Sequence, residues 1–492
     1  MIKRRWKSGA LAVMLLAALL TACSPTGGKK EQAFGKLDKD EEGTLKVAYF
    51  DEQAFLMQVG NAFQAMFPNM QLEVIPTQAV FDADDPVTAM EKLLEEQQPD
   101  VLYLTEEQYA KLAQGGKLYD LDAAVKQDEY DLSAFVPGVI DLLKARGGGK
   151  LYGLSPTFNS QALYYNKDLF DKYGVPYPTD GMSWDEVLEL AARFPVKKDD
   201  EDSISGLFPS SQIDNAFELI RMIGEAKGLQ YADTDSGKVS IDTPEWKAVF
   251  QQVIDGYKSG SIFMPGSGED GGSGGGPRMS IRGAGGGKVF MMGPNAMRFM
   301  AGQAAMTIDG PMVMGMLGET AGGGIRVTAK APAGGGGPGK DPAPMQAFNW
   351  DMVTLPVDPS QPDVAGGYSV DGVLAINASS PNLAAAWELL KYTNGEQLAK
   401  AGSKSMGSLS SRTAYKKEAE GKNTAAFYAL GANSQTLLQS LPSEFVASFA
   451  SLVSEHVKKT VDGTEMLEAA LQAIQSQGQD LLTKAGLETD QP

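Results

Sequence analysis

The chain has 492 residues, of which 43% are hydrophobic, and a formal net charge of −19. That length exceeds what one hydrophobic core usually covers, so two lobes are expected, and the acidic excess repels polyphosphates, which argues against nucleic acid as a partner. One cysteine and one histidine exclude a disulfide framework, a thiolate metal site and histidine-based catalysis, so no metal and no cofactor are expected.

Lys3, Arg4, Arg5 and Lys7 form a positive head ahead of an apolar run of eleven residues, Ala10 to Leu20. A run of that length suits a signal-peptide core and falls short of the roughly 18 residues that a spanning helix needs. Leu20-Thr21-Ala22-Cys23 resembles a bacterial lipoprotein box. The resemblance implies that residues 1–22 are a signal peptide and that Cys23 becomes a diacylglyceryl cysteine at the new N-terminus. The protein would then be held by lipid on the outer face of the cell membrane; cleavage after Ala22 leaving a free thiol is the alternative. Residues 23–43 are small, polar and charged, as in a flexible tether.

Leu45 to Phe50 reads as a buried strand, and Phe55, Val59, Phe63 and Phe67 recur at helical spacing up to Pro68. Leu72 to Ile75 is a second strand, Met90, Leu93 and Leu94 mark a helix, and Val101 to Leu104 is a third strand. This alternation predicts an α/β lobe built on a parallel sheet, with ligands beyond the C-terminal strand ends near Phe50, Asp51, Thr105 and Glu106. Further on, Ser183 with Glu186 forms a capping box, Thr243 caps a helix that Pro244 starts, and Ser380-Pro381 promises a third start. Trp184, Trp246 and Trp387 each fall within an apolar helical stripe and are expected in the core. His456, beside Glu455, reads as part of a solvated helix face.

Between Gly266 and Gly287 eleven of 22 residues are glycine, and a second Gly/Pro-rich stretch spans 322–344. Both read as long flexible loops. The GxGxxG at Gly266 to Gly271 lacks a preceding strand and a following helix. The GxxxxGK at Gly334 to Lys340 is followed by Asp341 and Pro342 where a magnesium-binding hydroxyl and a helix are needed. Neither is a phosphate-binding loop, and the GxSxG around Ser273 is equally a by-product of composition. Asp233 to Gly237 has its glycine one place early for a calcium loop, so a β-turn is expected.

Six stretches line up in order: Pro99 to Val101, Gly153 to Pro156, Leu163 to Asp168, Phe299 to Met306, Thr307 to Pro311, and Tyr368 to Asn377. Together they resemble the extracellular solute-binding proteins of ABC importers, in the family 1 class that contains the maltose-binding protein. The resemblance implies an α/β, two-lobed periplasmic-binding-protein-like fold with three hinge crossings and a ligand cleft between the lobes. Matching positions put the crossings near Thr157 to Gln161, near Thr354 to Tyr368 and near Thr424. Lobe 1 would then comprise 44–157 plus 363–425, and lobe 2 would comprise 160–355 plus 426–492.

The resemblance also implies a monomeric binder that captures a small solute, a sugar or oligosaccharide on family grounds, and hands it to ABC transporter permease subunits. Strand ends and matched positions nominate Tyr49, Phe50, Asp51, Thr105, Glu106, Tyr368, Ser369 and Asp371 from the first lobe. Asn159, Gln161, Asp309, Met312 and Trp350 are nominated from the hinge and the second lobe. Carboxylates and amides can pair with vicinal hydroxyls, and aromatic faces can stack on a sugar's C–H surface. Met312 stands where the maltose-binding protein has a stacking tryptophan, which argues against a maltodextrin ligand. Two other classes stay open at this point: a ligand sensor or scaffold without transport, and a secreted glycosidase working with two carboxylates.

Overall fold

In the computed structural model, the residues described are 35–485 without 84, 197–203, 211–214, 234–235, 266–278, 283–288, 293–297, 322–325, 330–346, 371, 405–406 and 433–440. Cys23 and its box, the tether up to residue 34 and Asp371 lie outside them.

Two sheets organise the chain. The first has the strand order Met70–Pro76, Gly43–Tyr49, Val101–Leu104, Val373–Ile376, Gly153–Leu154. Its first three strands are parallel, with Val47 level with both Val74 and Val101. The returning strand Val373–Ile376 runs antiparallel to both its neighbours, so the sheet is mixed where sequence alternation predicted a parallel one. The second sheet has the order Trp350–Val353, Ala162–Asn166, Ala304–Asp309, Ser205–Phe208. Its central strands are buried at every position, as strands covered on both faces must be.

The pleat of that second sheet separates two apolar clusters. Leu163 and Tyr165 point into one cluster, with Trp184, Trp246 and Phe449. Ala162 and Tyr164 point into the other, which is continuous with the core around the first sheet, Trp387 included. Because successive side chains alternate, a single strand seals both. The three tryptophans are 3% exposed or less, which is the core placement their spacing predicts.

Helix starts follow the caps in two of three cases. Ser183 and Glu186 close a capping box on Trp184–Ala191, and Thr243 accepts the Trp246 N–H of Pro244–Ser259. The third helix begins later than Ser380-Pro381, at Leu383. The Ser380 hydroxyl is used instead to donate to Asp100 at 2.6 Å, locking the helix entry to the first sheet.

The expectation for His456 also fails. It is 5% exposed, with Nδ1 2.8 Å from a Glu465 carboxylate oxygen, because the helix Ser443–Val461 is covered by the helix Leu467–Lys484. The glycine-rich stretches are more than loops. Met279–Arg282 pairs antiparallel with both Val289–Met292 and Arg326–Ala329, joining the two stretches in a three-stranded sheet. Ala232–Asp233 and Lys238–Val239 form a hairpin around the expected turn.

Candidate functional site

Two segments connect the sheets, 155–161 and 354–372 (described without 371), and a third leaves the core of the first sheet after the helix Ala426–Ala429. The first two meet in a small antiparallel sheet, where Thr157–Asn159 lies between Ser369–Val370 and Leu409–Ser410 and Asn159 pairs with Ser369. Ser155 donates its hydroxyl to the Gly372 carbonyl at 2.6 Å, a second tie between these two crossings. The third runs through Gly431–Ala432, which pairs in parallel with Val364–Ala365 of the second. It lies several residues beyond Thr424.

Beside these crossings opens a cavity of about 530 Å³. Its floor is Asn159, Ser160, Gln161, Gly367 and Ser369 from the crossings, with Gly407. One wall is Asp309 to Met312, where the strand Ala304–Asp309 passes into the helix Pro311–Ala321. Asp309 is 4% exposed, and Tyr164 fixes the turn by donating to the Gly310 carbonyl at 2.8 Å. Another wall is Ser210 and Asn215 with Glu218, Arg221 and Met222 of the helix Phe217–Ala226. Asn215 starts that helix by accepting the Phe217 and Glu218 N–H groups, both at 3.1 Å.

Arg221 is gripped from both sides along its own helix. Its Nε donates to Glu218 at 3.1 Å, and its terminal nitrogens bond Glu218 and Glu225. Burial alone would weaken its hold on the proton, but the two carboxylates outweigh that and keep the guanidinium charged. Gly367 has φ +77°, and a Cβ there would lie 2.6 Å from Gln161 Oε1, so the backbone passes close to a lining side chain where only glycine fits without strain.

Five nominated residues therefore line one cavity: Asn159, Gln161, Asp309, Met312 and Ser369. The others have different surroundings. Tyr49 packs on Tyr103 and Phe55 with ring centroids 4.7 and 5.1 Å apart. Phe50 is 44% exposed and lies edge-on to Phe81. Asp51 caps a helix by accepting the Ala54 N–H at 2.7 Å, and Thr105 caps Glu106–Gln114 with Gln108 in a capping box. Glu106 bonds Arg146 at 2.6 Å and accepts the Val370 N–H at 3.3 Å, tying the first lobe to the second crossing.

Trp350 is a buried sheet residue with Lys422 over its ring. Tyr368 is buried against Phe158, and its hydroxyl has no hydrogen-bond partner among the described residues. Reasoning from the sequence missed the wall of Ser210, Asn215, Glu218, Arg221 and Met222. The pattern Glu218, Arg221, Glu225 at helical spacing of three and four was its only signal.

A profile of the bacterial extracellular solute-binding proteins matches residues 58–429. The chain belongs to this family. Members of the family and the chains it resembles are binding proteins rather than enzymes. This solute-binding protein is similar to a sugar transporter from Rhizobium etli in an open conformation, at 18% identity and a TM-score of 0.61 over 89% of this chain and 99% of that one. The sugar-binding protein MalE from Xanthomonas citri gives 18% identity and a TM-score of 0.59 over 90% and 98%. Likenesses at this identity show the fold: two α/β lobes of the periplasmic-binding type.

Among curated relatives, a binding protein of Brucella abortus is 29% identical over 203 residues, 39% of this chain and 42% of that one. The sn-glycerol-3-phosphate-binding periplasmic protein of Rhizobium meliloti is 25% identical over 141 residues, 27% of this chain and 31% of that one. The solute-binding protein thus spans less than half the length of these relatives. Among the described residues no helix is long and apolar enough to cross a membrane.

Proposed function

We propose that this protein captures a small carbohydrate in the cavity beside its crossings, closes its lobes over it, and presents it to the permease of an ABC importer. The observation that carries the reading is the lining of that cavity in a family of solute binders. Asn159, Gln161, Ser369, Ser210 and Asn215 offer amide and hydroxyl groups, and Asp309 and Glu218 offer carboxylates, the groups that pair with vicinal hydroxyls. No described lining residue is aromatic, so stacking would have to come from outside this lining, and the exposed Phe50, edge-on to Phe81, is the residue we assign to it. Two half-sites on separate lobes bind weakly when apart, and a ligand that satisfies both stabilises the closed state by its differential affinity.

A thermal-shift screen of the purified protein against mono- and oligosaccharides, amino acids, peptides and polyols tests this. A sugar at about 100 times its dissociation constant adds ~2.7 kcal/mol to stability. A response confined to amino acids or peptides would reject the carbohydrate reading. Lipid attachment at Cys23 belongs to the same proposal: fatty-acid labelling should mark the wild type and not Cys23→Ala, and equal labelling of both would remove the anchor from it.

A further inference from the structure

The charge pattern of the cavity goes further than its hydrogen-bonding capacity. Among the described lining residues the cation is Arg221, and the anions are Glu218 and Asp309, so this lining holds one more carboxylate than guanidinium. Arg221 is also committed. Three of its five N–H donors are spent, two on Glu218 and one on Glu225. Glu225 itself stands against the second crossing, with its Oε2 3.7 Å from where a Cβ on Gly366 would lie. The arginine is thereby fixed relative to the cavity floor with its charge already balanced.

We infer that Arg221, clamped by Glu218 and Glu225, is a specificity-determining residue that makes the cleft accept uncharged hydroxyl-bearing solutes and reject their phosphorylated or acidic counterparts. The inference rests on the carbohydrate reading and names the charge class of its ligand. An incoming phosphate or carboxylate has to shed water, meets a guanidinium whose field two carboxylates cancel, and faces the buried Asp309 as well. A neutral hydroxyl pays far less for desolvation and still meets uncharged polar side chains of the lining, such as Gln161 and Ser369. A free arginine would have reversed this preference, since its fork matches phosphate and carboxylate geometry.

The test is calorimetric titration of the purified protein with pairs that differ by one charged group: glucose and glucose 6-phosphate, galactose and galacturonate, glycerol and sn-glycerol 3-phosphate, with inorganic phosphate as a bare anion. The expected result is that the neutral member of any pair that binds does so at least about tenfold more tightly, a difference of about 1.4 kcal/mol, and that inorganic phosphate gives no heat. Glu218→Gln should then lower that ratio by about tenfold, and Glu225→Gln provides the same reading should the first variant fail to fold. An anionic member that binds as tightly as its neutral partner, a ratio unmoved in the folded variants, or binding of inorganic phosphate to the wild type would each overturn the inference. Silence towards every sugar would instead reject the carbohydrate reading, and the phosphate titration would still judge this one.

Discussion

Asp128 joins two helices through one carboxylate. It accepts the Trp387 Nε1–H at 2.9 Å and a Lys391 Nζ–H at 2.6 Å. Burial pushes its pKa up, but these hydrogen bonds outweigh burial and hold it below the ordinary carboxylate value. A depressed folded pKa means that the contribution is complete above the unfolded value of about 4 and is lost as pH falls through the folded one. Asp128→Asn should therefore cost about 1.5–3 kcal/mol at neutral pH. It should also flatten the loss of stability below about pH 4, as read by urea unfolding across pH; a variant curve parallel to the wild type would refute the assignment.

Gly224 makes the opposite kind of case, where a helix propensity is overruled by packing. Alanine in a helix normally gains ~1 kcal/mol over glycine, but here its Cβ would lie 2.1 Å from the Trp246 ring, which is 1% exposed. Overpacking of this kind costs about 1–3 kcal/mol. Gly224→Ala should thus lower the melting temperature instead of raising it.

At the scale of elements, what was legible was what hydrophobic periodicity encodes. The strands Gly43–Tyr49, Met70–Pro76 and Val101–Leu104 and the helices capped at Ser183 and Thr243 announce themselves because burial and capping are local in sequence. The antiparallel return of Val373–Ile376 was not legible, since pairing direction is decided by chain connections over 200 residues away. The strands Met279–Arg282 and Arg326–Ala329 were hidden by the glycines around them. In the site, strand-end reasoning led to Asp51 and Thr105, whose side chains the fold spends on starting helices. The Arg221 wall escaped because a charged pattern on a helix face reads as solvated surface until tertiary structure turns it towards a cavity. Removing the cap at Thr105 separates these roles. Thr105→Ala should destabilise the protein by about 1 kcal/mol through the exposed start of Glu106–Gln114, measured by denaturant midpoint. An unchanged midpoint would show that the capping box contributes nothing.

For the whole molecule, the crossings join the two lobes, and Gly367 is one point where their backbone resists substitution. It has a left-handed conformation and lines the cavity, and a Cβ there would lie 2.6 Å from Oε1 at the end of the Gln161 side chain. A side chain there incurs strain of order 1–3 kcal/mol and displaces a lining amide at the same point. If lobe closure on the ligand is what holds it, the penalty falls mainly on the closed, liganded state, in which the floor must be complete, and less on the open one. Gly367→Ala should then weaken binding of whichever sugar the screen identifies by about tenfold or more, while the ligand-free protein keeps most of its thermal stability. Small-angle scattering supplies the second readout: the wild type should contract on adding that sugar, and the variant should contract only at proportionately higher concentration. Unaltered affinity in a folded variant would mean that the second crossing takes no part in forming the site, and closure would have to be carried by Asn159 and its strand alone.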